Sequence, residues 1–316
     1  MASGSPGGPR LAHPYRYAPG LALLCLVGCA AAPRQGTAGI RAQAASLRPV
    51  VASPLAQRFL DAADLLPSIR RRTITLAGAT RVVDEEYFYT TRYGTPLAYT
   101  RPLELLARAG LDDVAGRRIV DFGYGGIGQL LMLASLGATA VGVDVDPLLR
   151  AIYADRDGRF GAGSLRTLSG RWPTDKAVRD GVGGGYDLFL SKNVLKRGYL
   201  HPTQPVPEQQ TLRLGVDDEV FLRAVFDSLR PGGRMMIYNL SPAPAAPGKP
   251  YLPWADGRSP FPRELFERVG FRVIDFEVDD TAAARAMGHA LGWDRGVEAM
   301  DLAHDLFAQY TLVARP

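Results

Sequence analysis

Three glycines and two acids carry the clearest chemistry in this chain. Gly123, Gly125 and Gly128 stand in G-x-G-x-x-G spacing, with Asp121 immediately before them and Asp144 after the next apolar run. Glycines so spaced let backbone approach a ligand closely and aim a helix N-terminus at it. An acid where Asp144 stands can accept hydrogen bonds from ribose hydroxyls, so the set points to a nucleotide-containing ligand. The flanking residues supply the elements that must position it. A β-rich run ends at Asp121, Gln129 to Leu136 has the apolar content of a helix packed on a sheet, and Ala140 to Asp144 reads as a second buried strand. Together they make one β-α-β unit.

The same alternation continues. Asp146 and Pro147 start a helix that runs through Leu148, Leu149, Ile152 and Tyr153. Leu165 to Leu168, Tyr186 to Ser191, Arg234 to Tyr238, Phe271 to Phe276 and Leu306 to Ala314 read as further strands. Asp217 to Leu229 and Phe261 to Val269 read as helices between them. This spacing predicts an α/β fold with a doubly wound, mostly parallel sheet of seven strands and an antiparallel C-terminal edge.

Asp121 directly before the glycines, giving Asp-x-Gly-x-Gly, resembles the first motif of class I S-adenosylmethionine-dependent methyltransferases; dinucleotide folds usually place an apolar residue there. Tyr186 to Leu195, Tyr-Asp-Leu-Phe-Leu-Ser-Lys-Asn-Val-Leu, looks like that family's motif at the fourth strand. Leu229-Arg230-Pro231-Gly232-Gly233 is similar to its turn before the fifth, and the late strand pair fits its edge. The resemblance covers nearly all of residues 100–316 and implies a Rossmann-like methyltransferase fold with S-adenosyl-L-methionine as cofactor. It implies a cofactor site of Asp121, near the cationic methionine end, with Gly123, Gly125, Gly128, Asp144 and Ser191. The chain departs from the family at Ser169-Gly170-Arg171-Trp172, where an acid often contacts the adenine amino group. There Trp172 either stacks on the purine or simply packs. No Asn-Pro-Pro-Tyr or Asp-Pro-Pro-Tyr follows the fourth strand, which disfavours methylation of nucleic-acid bases.

Methyl transfer needs orientation and a low-water pocket, with a base only if the acceptor must lose a proton. The loops 123–128, 192–216 and 241–262 leave the carboxyl edge where such a site lies. The last two are long and proline-rich and supply Lys192, Asn193, Tyr199, His201, Asn239, Tyr251, Trp254 and Asp256. Of these, Lys192, Asn193 and His201 are the catalytic candidates. His201 carries an imidazole, the side-chain type most often used as a general base, and Lys192 and Asn193 follow the strand directly. The alternative roles are surface decoration for His201 and a cap on the strand end for the other two. The four histidines show no metal-ligand spacing, and no metal is expected.

At 316 residues and 47% hydrophobic content, the chain can bury a large core of one or two domains. A formal charge of +5, with no basic run longer than Arg70-Arg71-Arg72, is no nucleic-acid signature. Residues 1–28 read as a signal peptide: Arg10 and Arg16 precede the short apolar stretch Leu21 to Val27, and Leu26-Val27-Gly28-Cys29 resembles the bacterial lipobox. That places a lipid anchor at Cys29 and the protein in the cell envelope; an unused signal would leave it cytoplasmic. Both cysteines, Cys25 and Cys29, lie here, so the folded part has no thiol and no disulfide. Residues 29–52, with little apolar periodicity, read as a flexible tether. Residues 53–110 read as an N-terminal cap of helices and a hairpin at 72–83, and residues 111–316 as the methyltransferase-like domain. The dense aromatics Tyr87, Phe88, Tyr89, Tyr93 and Tyr99 form either a lid over the cofactor or ordinary cap packing.

The resulting expectation is methyl transfer from S-adenosylmethionine to a small-molecule or protein acceptor. Its alternatives are a non-catalytic envelope lipoprotein that kept the fold and an NAD(P)-dependent oxidoreductase. Export sits awkwardly with a cofactor made inside cells.

Overall fold

The computed structural model describes residues 36–296 and 299–316. Eight strands form the main sheet: β3 (Arg118–Phe122), β4 (Thr139–Asp144), β5 (Gly158–Phe160), β6 (Gly163–Ser169), β7 (Tyr186–Lys192), β8 (Leu229–Ser241), β9 (Arg272–Asp279) and β10 (Phe307–Ala314). Their order across the sheet is β5-β6-β4-β3-β7-β8-β10-β9. β6, β4, β3, β7 and β8 are parallel, while β10 runs antiparallel between β8 and β9. The expected α/β class and antiparallel C-terminal edge are therefore present. The eighth strand is β5, a three-residue edge antiparallel to β6. It is too short for a hydrophobic period; its only trace in the sequence is the turn glycine Gly161, left-handed at φ 57°.

Helices cover both faces because the inner strands are apolar on both sides. On one face lie α1 (Gly36–Leu47), α2 (Pro54–Asp61), α3 (Glu85–Thr90), α4 (Thr100–Arg108), α5 (Gly128–Ser135), α6 (Pro147–Tyr153) and α11 (Thr281–Ala290). The other is covered by α7 (Lys176–Val182), α9 (Asp218–Ser228) and α10 (Arg263–Val269). One-turn helices α8 (Arg197–Leu200) and α12 (Leu302–Asp305) lie within loops. The caps follow the sequence: the Ser53 hydroxyl accepts from the Ala56 N–H with Pro54 at the first helical position, and Asp146 and Asp217 cap α6 and α9 in the same way.

The expected tether is corrected by α1. Residues 36–47 form a helix whose Ile40, Ala44 and Leu47 are buried in the main core. The stripe holds just one isoleucine and one leucine, with a threonine and an alanine completing it. Such a face is hard to tell from a linker until its partner surfaces are known. The Thr37 N–H and hydroxyl both donate to Glu85 Oε2, at 2.9 and 3.2 Å, pinning the start of α1 to α3. The signal-peptide and lipobox expectations, with Cys29, fall outside the described residues. No helix among those described is long and apolar enough to cross a membrane.

The N-terminal elements include the hairpin β1 (Arg72–Leu76) and β2 (Ala79–Val83), turning at Ala77 and Gly78 as expected. They are tied to the sheet by a buried ion cluster. Arg101 of α4 donates twice to Asp280, at 3.1 and 2.6 Å, and the Tyr238 hydroxyl donates to the same carboxylate at 3.0 Å. A buried guanidinium and carboxylate this well matched hold each other in place, since losing either strands the other.

Leu47→Ala in the full chain should cost about 2–4 kcal/mol, the usual range for a buried leucine, in urea unfolding. A loss below about 0.5 kcal/mol would mean that α1 is not part of the cooperative core.

Candidate active site

The carboxyl ends of β3, β4 and β7 converge on a cavity of about 400 Å³. Its floor is the glycine loop. Gly123 and Gly125 are left-handed, at φ 75° and 60°. A Cβ on Gly123 would lie 2.3 Å from Val194, and one on Gly125 2.7 Å from Tyr93. The third glycine of the motif serves packing: a Cβ on Gly128 would meet Pro96 at 2.8 Å. The glycines thus let the loop run flush against the cavity wall and the cap above it.

Asp144 lines the cavity at the tip of β4. Its carboxylate accepts from the Gly125 N–H at 3.2 Å and the Asp146 N–H at 2.9 Å. Burial raises its pKa to about 6, against the opposing pull of those N–H donors. Since a carboxylate offers about four acceptor positions, it keeps capacity for ribose hydroxyls. Asp146 in turn holds the segment that carries Tyr93: it accepts from Arg92 at 2.7 Å and the Tyr93 hydroxyl at 3.1 Å.

Asp121 is placed differently from the expectation. It is fully buried and does not line the cavity; Tyr99 and Gln129, which do, stand in front of it. Gln129 Nε2 donates to Asp121 Oδ2 at 3.0 Å, the Tyr99 phenol shares the carboxyl, and Oδ1 has no aligned donor. Burial lifts this pKa to about 6 as well, with Gln129, Tyr99 and the nearby Lys192 charge opposing it. Contact between Asp121 and a ligand's cationic end would therefore run through Gln129 and Tyr99. Gln129 was overlooked in the sequence, although a lone amide in the first turn of an otherwise apolar helix was a usable signal.

Phe88 and Tyr89 are buried packing, whereas Tyr93 and Tyr99 line the cavity. Trp172 lines the cavity and packs in a cluster with Phe122, Phe189 and Phe221, at ring centroid distances of 6.2, 5.5 and 5.5 Å.

Of the acceptor-side candidates, Lys192, Asn193 and Tyr199 line the cavity. Lys192 Nζ sits 5.1 Å from the centre of the Tyr99 ring. Asn193 is left-handed at φ 64°, and its Oδ1 accepts from the Leu240 N–H at 2.7 Å, so its side chain ties the end of β7 to β8. Ser191, expected at the cofactor, is buried and not among the lining residues, and its Oγ has no hydrogen-bond partner. His201 is not among the lining residues; it is half-exposed and pairs with Asp218 at 2.8 Å, at the start of α9. Asn239, Tyr251 and Asp256 line a separate cavity of about 420 Å³, while the carbonyl of buried Trp254 accepts from Lys196 at 3.1 Å. Lys196, fully buried and lining the main cavity, escaped the sequence reading because nothing local predicts burial of a loop lysine. No group of three or more His, Cys, Asp or Glu among the described residues could hold a metal.

No protein-family model and no curated protein matches the chain. Solved structures do. An S-adenosylmethionine-dependent methyltransferase from Mesorhizobium loti is 20% identical, with 69% of this chain and 98% of that one covered and a TM-score of 0.39. The 4+2-cyclase SpnF is 17% identical, over 68% of this chain and 80% of that one, with a TM-score of 0.40. A phosphoethanolamine N-methyltransferase from Haemonchus contortus, solved with S-adenosylhomocysteine, is 15% identical over 73% of this chain and 56% of that one, at 0.43. At these identities and scores the likeness assigns neither activity nor ligand.

Both carboxyls titrate higher in the folded protein than the ordinary value of about 3.9. What they contribute to stability is present below that value and lost as pH rises through about 6. Asp121→Asn should therefore gain roughly 1–3 kcal/mol over the wild type at about pH 7.5, about half as much at about pH 5 and little at about pH 3.5, in paired urea titrations. An equal effect at all these pH values would show that Asp121 is not strained by burial.

Proposed function

We propose that the glycine-loop cavity binds S-adenosyl-L-methionine and that the chain catalyses methyl transfer to a small-molecule or protein acceptor. The observation that carries this reading is Asp144, a carboxylate with spare acceptor capacity at the tip of β4, lining a cavity floored by left-handed glycines. The residues fit the cofactor. Asp144 would take the ribose hydroxyls, the loop backbone would run along the ligand, and Trp172 would border the base. Gln129 and Tyr99, backed by the unaligned Oδ1 of Asp121, would face the amino-acid end. When bound, the cofactor supplies a methyl group activated on a sulfonium. The protein's part is orientation and exclusion of water, with Tyr93 fixed over the glycine loop through Asp146.

The strand order supports methyl transfer over hydride transfer. A dinucleotide fold orders its strands 3-2-1-4-5-6, whereas here the last strand, β10, is inserted antiparallel between β8 and β9. His201 is not needed as a base in this reading, because its imidazole lies off the cavity lining.

Titration calorimetry of the full chain should show micromolar binding of S-adenosylmethionine and S-adenosylhomocysteine. Asp144→Ala should weaken it about tenfold or more, about 1.4 kcal/mol. Absence of binding would favour a non-catalytic envelope module, and binding of NADH instead would revive the oxidoreductase. We further propose a lipid-anchored envelope location, a reading that rests on the lipobox-like Leu26-Val27-Gly28-Cys29. Mass spectrometry of the protein from membranes of a bacterial host should find a lipid-modified Cys29 at the mature N-terminus; an intact, unmodified N-terminus would leave a cytoplasmic enzyme.

A further inference from the structure

Charge is unevenly distributed around the cavity. Its lining carboxylates are Asp144, on the nucleotide side, and Glu208, which pairs with Arg213 at 3.2 Å. The end of β7 and the loop after it contribute two buried lysines to the lining, Lys192 at 8% exposure and Lys196 at 0%. Lys196 is turned toward the carbonyls of Leu240 and Trp254. Lys192 stands at a junction. It lines the main cavity and also a small adjoining one, of about 60 Å³, walled by Ala98, Leu240, Trp293, Met300 and Leu306. The carboxylate of that smaller cavity, Asp305, is exposed and accepts from the Asp301 N–H at 3.2 Å, within its own turn. Asp121, which feels the Lys192 charge, does not line the cavity, whereas Lys192 does.

We infer that the methyl acceptor is a small organic acid, carrying its negative charge on oxygen and held against Lys192, with its apolar part in the pocket of Trp293, Met300 and Leu306. The inference rests on the cofactor site proposed above. A protonated amine would meet both the sulfonium and Lys192 as like charges, whereas an oxyanion is attracted by both. Transfer to an oxyanion also balances without a base. The acceptor's lone pair forms the new O–C bond as the S–C pair returns to sulfur, so a cation and an anion give two neutral products and no proton leaves. That agrees with a cavity lining that contains no histidine.

The test uses the full chain saturated with S-adenosylhomocysteine, titrated with butyrate and benzoate and with the matched amines butylamine and benzylamine, and read by tryptophan fluorescence. The carboxylates should bind at least about tenfold tighter than the amines. Lys192→Met should remove that preference, and Lys192→Arg should retain its direction. Both variants are titrated at saturating S-adenosylhomocysteine and should keep the wild-type far-UV circular dichroism, which certifies their folding. Tighter binding of the amines, a preference unchanged in Lys192→Met, or saturable binding of neither series would overturn the inference. Failure to bind S-adenosylhomocysteine in the first titration would instead remove the cofactor reading, and this inference with it.

Discussion

Carboxylates at the ends of buried strands cost free energy, and this structure is arranged around two of them. Asp121 and Asp144 close adjacent parallel strands, where the sheet stops and water is largely excluded. Burial lifts both pKa values to about 6. Asp144 is held by backbone N–H groups of the loop and of the turn after β4, and Asp121 by an amide and a phenol. Partial compensation of this kind leaves capacity for a ligand, which is how a binding site differs from a satisfied core.

The cap makes the site enclosed. Elements before β3 bring Tyr93 and Tyr99 over the glycine loop, and the Arg101–Asp280–Tyr238 cluster fixes that cap to strands far along the chain. The glycines are explained by this contact as much as by any ligand, since Gly125 and Gly128 are where Tyr93 and Pro96 come closest. Packing and binding therefore impose the same residue type at the same positions, and α1 extends the packed layer to residue 36.

Much of the fold was legible in the sequence because its signals are local. The β-α-β unit, the caps at Ser53, Asp146 and Asp217, the hairpin at Ala77-Gly78 and the late strand pair all follow from period, cap and turn chemistry within a few residues. Helix α1 and strand β5 were not legible. The first has a sparse apolar stripe of mostly small residues, and the second is three residues long, so each exists through what it packs against.

The sequence by itself determined the α/β architecture, the glycine loop and the place of Asp144 at a strand tip, since these depend on residue type and spacing. Only the tertiary structure decided which side chains share the cavity. It withdrew Asp121 behind Gln129 and Tyr99, turned His201 to Asp218 and away from the lining, and brought Lys192 between two cavities with buried Lys196 beside it. The reason is physical. Strand periodicity fixes where a residue sits along the sheet edge, but burial, and hence charge and accessibility, is set by loops and a cap that arrive from elsewhere in the chain.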